Sequence, residues 1–299
     1  MADELDDGLA LDDQLVAGGS GDEGQEAQPT HDAQSEAKER RRAKQKAARR
    51  KVRGCSQRAE KQHERTSAER ALATQPAALQ ADYICAQQRR VYPSLSALEL
   101  DEVRVSEHML TETVSWDRER TLDTLAPFVT QCALVLTDVK TPLADSAPGA
   151  PRIVVVSGNA QRAADLVRPL RTLLPKEDEP PRKKRAGASA DEPTDPSQPT
   201  VAKLFARHFK ADAQASWLKT QVAPIVVGTP HRLRQLIDMD ALRLDDAAAI
   251  VIDHSWVDQK QRTIFDGPET RVAIIDLIGQ QRVREALRRA EKPCRLLLF

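Results

Sequence analysis

Short apolar runs punctuate the second half of this chain, and amphipathic stretches separate them. Residues 153–156, 225–227, 250–252 and 296–299 are runs of Ile, Val, Leu and Phe. Continuous runs of this length are the pattern of strands buried on both faces of a parallel sheet. Between them, residues 160–174 set Ala163, Leu166, Val167 and Leu170 on one side at helical spacing, and residues 230–237 begin another helix. Residues 201–219 also read as a helix, with Leu204, Phe205, His208 and Phe209 close to one face. Strands alternating with helix-sized segments predict an α/β fold: a single parallel sheet with flanking helices, joined by right-handed crossovers. In such a sheet ligands bind beyond the carboxyl ends of the strands, so the polar residues just after each run are the first candidates for chemistry.

Ahead of the sheet the pattern is helical but irregular. Leu79, Tyr83, Ile84 and the stretch VYPSLSALEL carry apolar residues at uneven spacing. Pro93 marks a helix boundary, and Ser94 or Ser96 is placed to cap the next helix. Residues 121–135 supply another helix candidate, with Pro127 near its start or at a kink. Residues 142–151 read as a Pro, Gly, Ala and Ser linker. Residues 76–150 are thus a helical lead-in and 151–299 the α/β domain, interrupted by a low-complexity surface loop at 175–200.

Charge adds two further segments. The 45 Lys and Arg cancel the 45 Asp and Glu, but the two signs are segregated at the N-terminus. Residues 1–37 predict a disordered acidic tail, with too little apolar area to offset chain entropy. Residues 38–75 open with KERRRAKQKAARRKVR and favour helix, yet lack an apolar stripe. That segment predicts a solvated basic helix. The cysteines Cys55, Cys85, Cys132 and Cys294 are dispersed without metal-ligand spacing, which fits reduced thiols in a cytosolic or nuclear protein. No apolar leader is visible, and no run approaches the ~20 residues that cross a bilayer. The expectation is a soluble intracellular protein without membrane, metal, cofactor or small-molecule substrate.

Catalytic chemistry finds little support in the residues. GxxxxGK[ST], whose backbone amides and lysine surround phosphates, does not occur; Gly18-Gly19-Ser20-Gly21 lies in the acidic tail and reads as a flexible linker. Asp253 ends an apolar run, where a nucleotidase places an aspartate that orients magnesium, but His254 comes next in place of a glutamate. The plainer reading is a strand-end carboxylate that caps a turn or binds a backbone amide. The corner Gly228-Thr229-Pro230-His231-Arg232 suits a helix start, with Thr229 as cap and Pro230 in first position. It serves either as a capped terminus or as an anion site to which Arg232 adds charge.

The basic clusters weigh more. Arg40, Arg41, Arg42, Lys44, Lys46, Arg49, Arg50, Lys51 and Arg53 are candidates for RNA phosphate contact, without interleaved aromatics for base stacking. Arg182, Lys183, Lys184 and Arg185 resemble a nuclear-import signal. The six histidines are scattered, His208 being expected to pack, and Trp116, Trp217 and Trp256 read as core or interface residues.

Longer strings carry two resemblances to known families. In order, VVVSGNAQRA, VVGTPHRL, IVIDHSWVD and RLLLF resemble the first RecA-like domain of DEAD-box RNA helicases. The second string keeps Thr229, Pro230 and Arg232 of that family's TPGR segment; the third keeps only Asp253 of the DEAD segment, with His254 in place of its glutamate. The phosphate loop, that glutamate and a second RecA-like domain are missing, which implies a degenerate RecA-like domain without helicase activity. More specifically, YPSLSALEL, KLFARHFK, VVGTPHRLRQLI and IDHSWVDQKQRTIFD are similar to the Cms-type family of small-subunit ribosome-assembly proteins. That resemblance implies a nuclear, nucleolar and non-catalytic scaffold or placeholder in rRNA processing, bound to ribosomal precursor RNA and assembly proteins. Two rivals remain: a pure protein–protein adaptor, and a weak nucleotidase using Asp253.

Overall fold

The computed structural model describes residues 71–136, 146–174, 199–207 and 209–299, all within one unit spanning Glu60–Phe299. The acidic tail, nearly all of the basic segment, the import-signal candidate and the loop at 175–198 lie outside the described residues, as does His208.

Five parallel strands form one sheet in the order β2-β3-β1-β4-β5. They are β1 (Ile153–Val156), β2 (Val201–Leu204), β3 (Ile225–Gly228), β4 (Ala249–Ile252) and β5 (Arg295–Leu298). β1 lies at the centre, with Val155 paired to Val227 of β3 and Val251 of β4. The expected α/β class, a single parallel sheet with flanking helices, is what the chain adopts.

The lead-in supplies α1 (Ala77–Val91), α2 (Ala97–Val103) and α3 (Leu122–Phe128). Ser96 caps α2 in a reciprocal box with Glu99. Pro127, which has no amide to donate, sits where α3 passes into a five-residue π-turn, Val129–Ala133. The domain adds α4 (Ala160–Leu170), α5 (Ala211–Leu218), α6 (Pro230–Asp238), α7 (Pro268–Gly279) and α8 (Gln281–Arg288).

Alternation along the strands divides the core in two. Val154, Val156, Val226, Ile250, Ile252, Leu296 and Leu298 face one layer, which α1, α5, α6, α7 and α8 cover. Ile153, Val155, Ile225, Val227, Val251 and Leu297 face the other, which α3, the π-turn and α4 cover. The four residues expected on one side of the α4 helix are all buried there. The outer edge of β5 is also occupied: Leu110 bridges Leu296, and the Thr111 amide donates to the Leu296 carbonyl at 2.9 Å.

One sequence expectation is corrected. Residues 201–219 are not a single helix: Val201–Leu204 pairs with β3 as an edge strand, and only Ala211–Leu218 is helical. The spacing of Leu204, Phe205 and Phe209 suits a helix, but parallel pairing with β3 overrides that local preference. The sheet therefore has five strands where the apolar runs predicted four.

Candidate nucleic-acid interface

β1, β2, β3 and β4 each deliver a loop to the carboxyl end of the sheet. After β1, Asn159 caps α4, and its Oδ1 accepts from the amides of Gln161 at 2.7 Å and Arg162 at 3.2 Å. That helix start is already satisfied by its own chain.

The corner after β3 is arranged differently. Thr229 occupies the cap position and Pro230 opens the helix, as their residue types predict. The Thr229 side chain, however, makes no capping bond. Its backbone amide donates instead to the Leu204 carbonyl at 3.1 Å, which ties the corner to β2. In the first turn of a helix, amides such as those of His231 and Arg232 have no intrahelical acceptor, so this terminus offers donors to an anion. Gly228 permits the close approach: a Cβ there would lie 2.4 Å from the Leu204 carbonyl oxygen and 2.9 Å from the Leu233 side chain.

Arg232 does not point outward. It is only 7% exposed, and its Nη1 donates to the Gln214 Oε1 at 2.7 Å and the Phe209 carbonyl at 3.1 Å. Gln214 in turn donates through Nε2 to the Lys203 carbonyl at 3.0 Å. The guanidinium thus brackets α6 against α5 and the loop after β2. The Arg232 side chain is committed to the fold, which leaves the backbone amides of His231 and Arg232 as the donors at this corner.

Exposed charge comes from residues that the sequence pattern hid. Because β2 is a strand beside β3, the loop after it carries Arg207 and Lys210 to the same end of the sheet as Thr229 and His231. All three basic side chains, Arg207, Lys210 and His231, are exposed. Arg207 also reaches α4, donating to the Gln161 Oε1 at 3.2 Å. A helix over residues 201–219 gives no reason to bring Arg207 to the sheet end; the KLFARHFK string itself was the available signal.

Asp253 is buried after β4 and is neither a turn cap nor a free carboxylate. Arg162 of α4 donates to it twice, Nε to Oδ2 at 2.8 Å and Nη2 to Oδ1 at 3.4 Å, with side-chain exposures of 10% and 1%. Ser255 Oγ donates to Oδ1 at 2.9 Å, and Ser157 Oγ lies 3.5 Å from Oδ2. The carboxylate oxygens are therefore taken up by one guanidinium and two hydroxyls, so the backbone-amide reading of this residue is corrected to an ion pair.

His254 is fully buried, and neither ring nitrogen has a hydrogen-bond partner among the described residues. Its ring lies 5.9 Å from that of Phe265. Burial pushes its pKa down to about 4, with Asp266 pulling upward and Arg120 pushing further down. It is neutral at physiological pH and holds its strand end through a backbone amide, which donates to the Phe299 carbonyl at 2.7 Å. Asp253 and His254 are thus joined to the sheet by packing and local bonds.

The sequence matches the family described as CMS1, U3-containing 90S pre-ribosomal complex subunit, over residues 22–184 and 190–299. Among its relatives, Protein CMS1 of Chaetomium thermophilum is 33% identical over 233 residues, covering 77% of this chain and 82% of its own length. Protein CMSS1 of Homo sapiens is 40% identical over 78 residues, 26% of this chain and 28% of that protein. Protein cms1 of Schizosaccharomyces pombe is 23% identical over 211 residues, 71% of this chain and 65% of that protein.

Proposed function

The chain belongs to the CMS1 family, and on that premise we propose that it works in assembly of the 90S pre-ribosomal complex as a non-catalytic scaffold holding precursor RNA by its phosphates. The work belongs in the nucleus, and within it the nucleolus. One observation carries the RNA reading: the start of α6 is left without a side-chain cap, at a sheet end that also gathers exposed Arg207, Lys210 and His231. Amides without acceptors beside cations suit a phosphodiester and give no basis for reading its bases.

The basic residues Arg40 to Arg53 fit the same role as a second, sequence-blind phosphate contact. Arg182 to Arg185 fit nuclear import, and the acidic tail fits basic assembly proteins. The degenerate helicase character is part of this reading, with the Arg162–Asp253 pair occupying the carboxylate that a nucleotidase would give to magnesium.

Binding of a generic RNA strand across a salt series tests the proposal. Phosphate binding gives a log K that falls linearly with log salt, with a slope of about −0.7 per contacted phosphate on a single strand. Arg207→Glu with Lys210→Glu should weaken binding and flatten that slope, as should charge reversal of Arg40 to Arg53. An unchanged slope in both variants would leave the protein–protein adaptor as the better account.

A further inference from the structure

We propose that Trp256 is a nucleobase-stacking residue, an inference that rests on the RNA-backbone reading of the same sheet end. The three tryptophans have different surroundings. Trp116 is buried in the core beneath α3, its ring 5.4 Å from Phe128, and Trp217 packs against the opposite core. Trp256 is partly exposed, and it belongs to neither core cluster nor to any aromatic pair among the described residues. A partly exposed indole that belongs to neither core keeps apolar surface that a ligand can cover.

Its backbone is held from both sides. The preceding residue, Ser255, donates its amide to the Phe299 carbonyl at 2.8 Å and its hydroxyl to Asp253, and Arg162 Nη2 lies 3.4 Å from that hydroxyl. Two residues later Asp258 accepts from the Lys260 and Arg262 amides at 2.8 and 2.9 Å and from the Arg262 guanidinium at 2.8 and 2.6 Å. Holding the loop beforehand lowers the ordering entropy that binding a base would otherwise require.

Position and charge select the ligand class. Trp256 comes after β4, which lies one strand away from β3 across β1. At the usual strand spacing the two loop starts are roughly 10 Å apart, within reach of one short oligonucleotide. The nearby carboxylates Asp253 and Asp258 are neutralised by Arg162 and Arg262, while Lys260 and Arg207 stay exposed. A partly exposed indole at a sheet end whose other loops carry exposed cations suits a single-stranded nucleic acid: phosphates near α6, one base on the indole. Stacking tolerates any base, so the site would bind a single strand in preference to a duplex.

The test uses the full-length protein, a short single-stranded oligoadenylate, and an abasic ribose-phosphate strand of equal length. Trp256→Ala should weaken oligoadenylate binding by roughly 5- to 150-fold, the range for losing one stacked base, and leave abasic binding unchanged. Trp256→Phe should restore most of the affinity. Intrinsic fluorescence should be quenched on binding in the wild type and much less in Trp256→Phe. If Trp256→Ala binds oligoadenylate as well as wild type, without differential quenching, while Arg207→Glu still weakens it, stacking is wrong and the RNA-backbone reading survives. If wild type binds neither strand and Trp256→Ala instead loses a protein partner, both readings fail and the indole belongs to a protein interface.

Discussion

The Arg162–Asp253 pair gives the most demanding prediction, because it asks whether the strand-end carboxylate is structural. Arg162→Met would leave a carboxylate that is 1% exposed with two hydroxyls as its remaining partners, at 2.9 and 3.5 Å. Stranding a buried charge in this way costs about 3–5 kcal/mol. Asp253→Leu should cost less, about 1–3 kcal/mol, because the stranded guanidinium lies nearer the surface at 10% exposure and can turn toward water. The double variant replaces both charges with apolar groups and should recover much of the loss, giving a coupling of about 2–3 kcal/mol. Urea unfolding of the full-length protein measures the cycle; at about 2–3 kcal/mol per molar, Arg162→Met should move the midpoint down by roughly 1–2 M. Magnesium should stabilise none of the variants, since a cation bound at Asp253 would raise wild-type stability by mass action. Single losses that simply add, or a magnesium-dependent midpoint lost in Asp253→Leu, would refute this reasoning and revive the nucleotidase.

Three further outcomes are expected. His254 titrates in the folded protein at about 4, below its ordinary value of 6.5, so the unfolded chain binds its proton first. Stability should be full above pH 6.5 and fall as the pH drops toward 4, by about 3 kcal/mol in all, and His254→Phe should remove that part of the slope in pH-dependent urea melts. Gly228→Ala should destabilise by about 1–3 kcal/mol, because the added methyl meets the Leu204 carbonyl and Leu233; a melting temperature equal to wild type would contradict the close approach. In native thiol labelling Cys294, whose pKa burial pushes up to about 12, should stay unreacted while partly exposed Cys85 reacts.

Hydrophobic pattern revealed the sheet wherever a strand carries an unbroken β-branched or leucine run. β1, β3, β4 and β5 each carry three or more consecutive Ile, Val or Leu residues, with only Gly228, Ala249 and Arg295 departing from the run, so composition alone marks them. β2 was not legible because its four residues, VAKL, include Lys203 and lead straight into Phe205 and Phe209, whose spacing imitates a helix. That one misreading also hid Arg207 and Lys210 from the candidate interface, since a helix would have carried them elsewhere. Thr229 and Pro230 were readable as a helix start because capping chemistry is local. The inward turn of Arg232 and the bond from Arg162 to Asp253 were not, because both depend on pairings 18 and 91 residues apart that only the fold creates.

Ultraviolet RNA–protein crosslinking in cells, mapped residue by residue on the full-length protein, tests the central claim most directly. The account predicts crosslinks to ribosomal precursor RNA from the basic segment at residues 38–53 and from the sheet end around Arg207, Lys210 and Thr229. Association with the 90S complex and no RNA crosslink anywhere on the folded domain would contradict it and identify the protein as an adaptor between proteins.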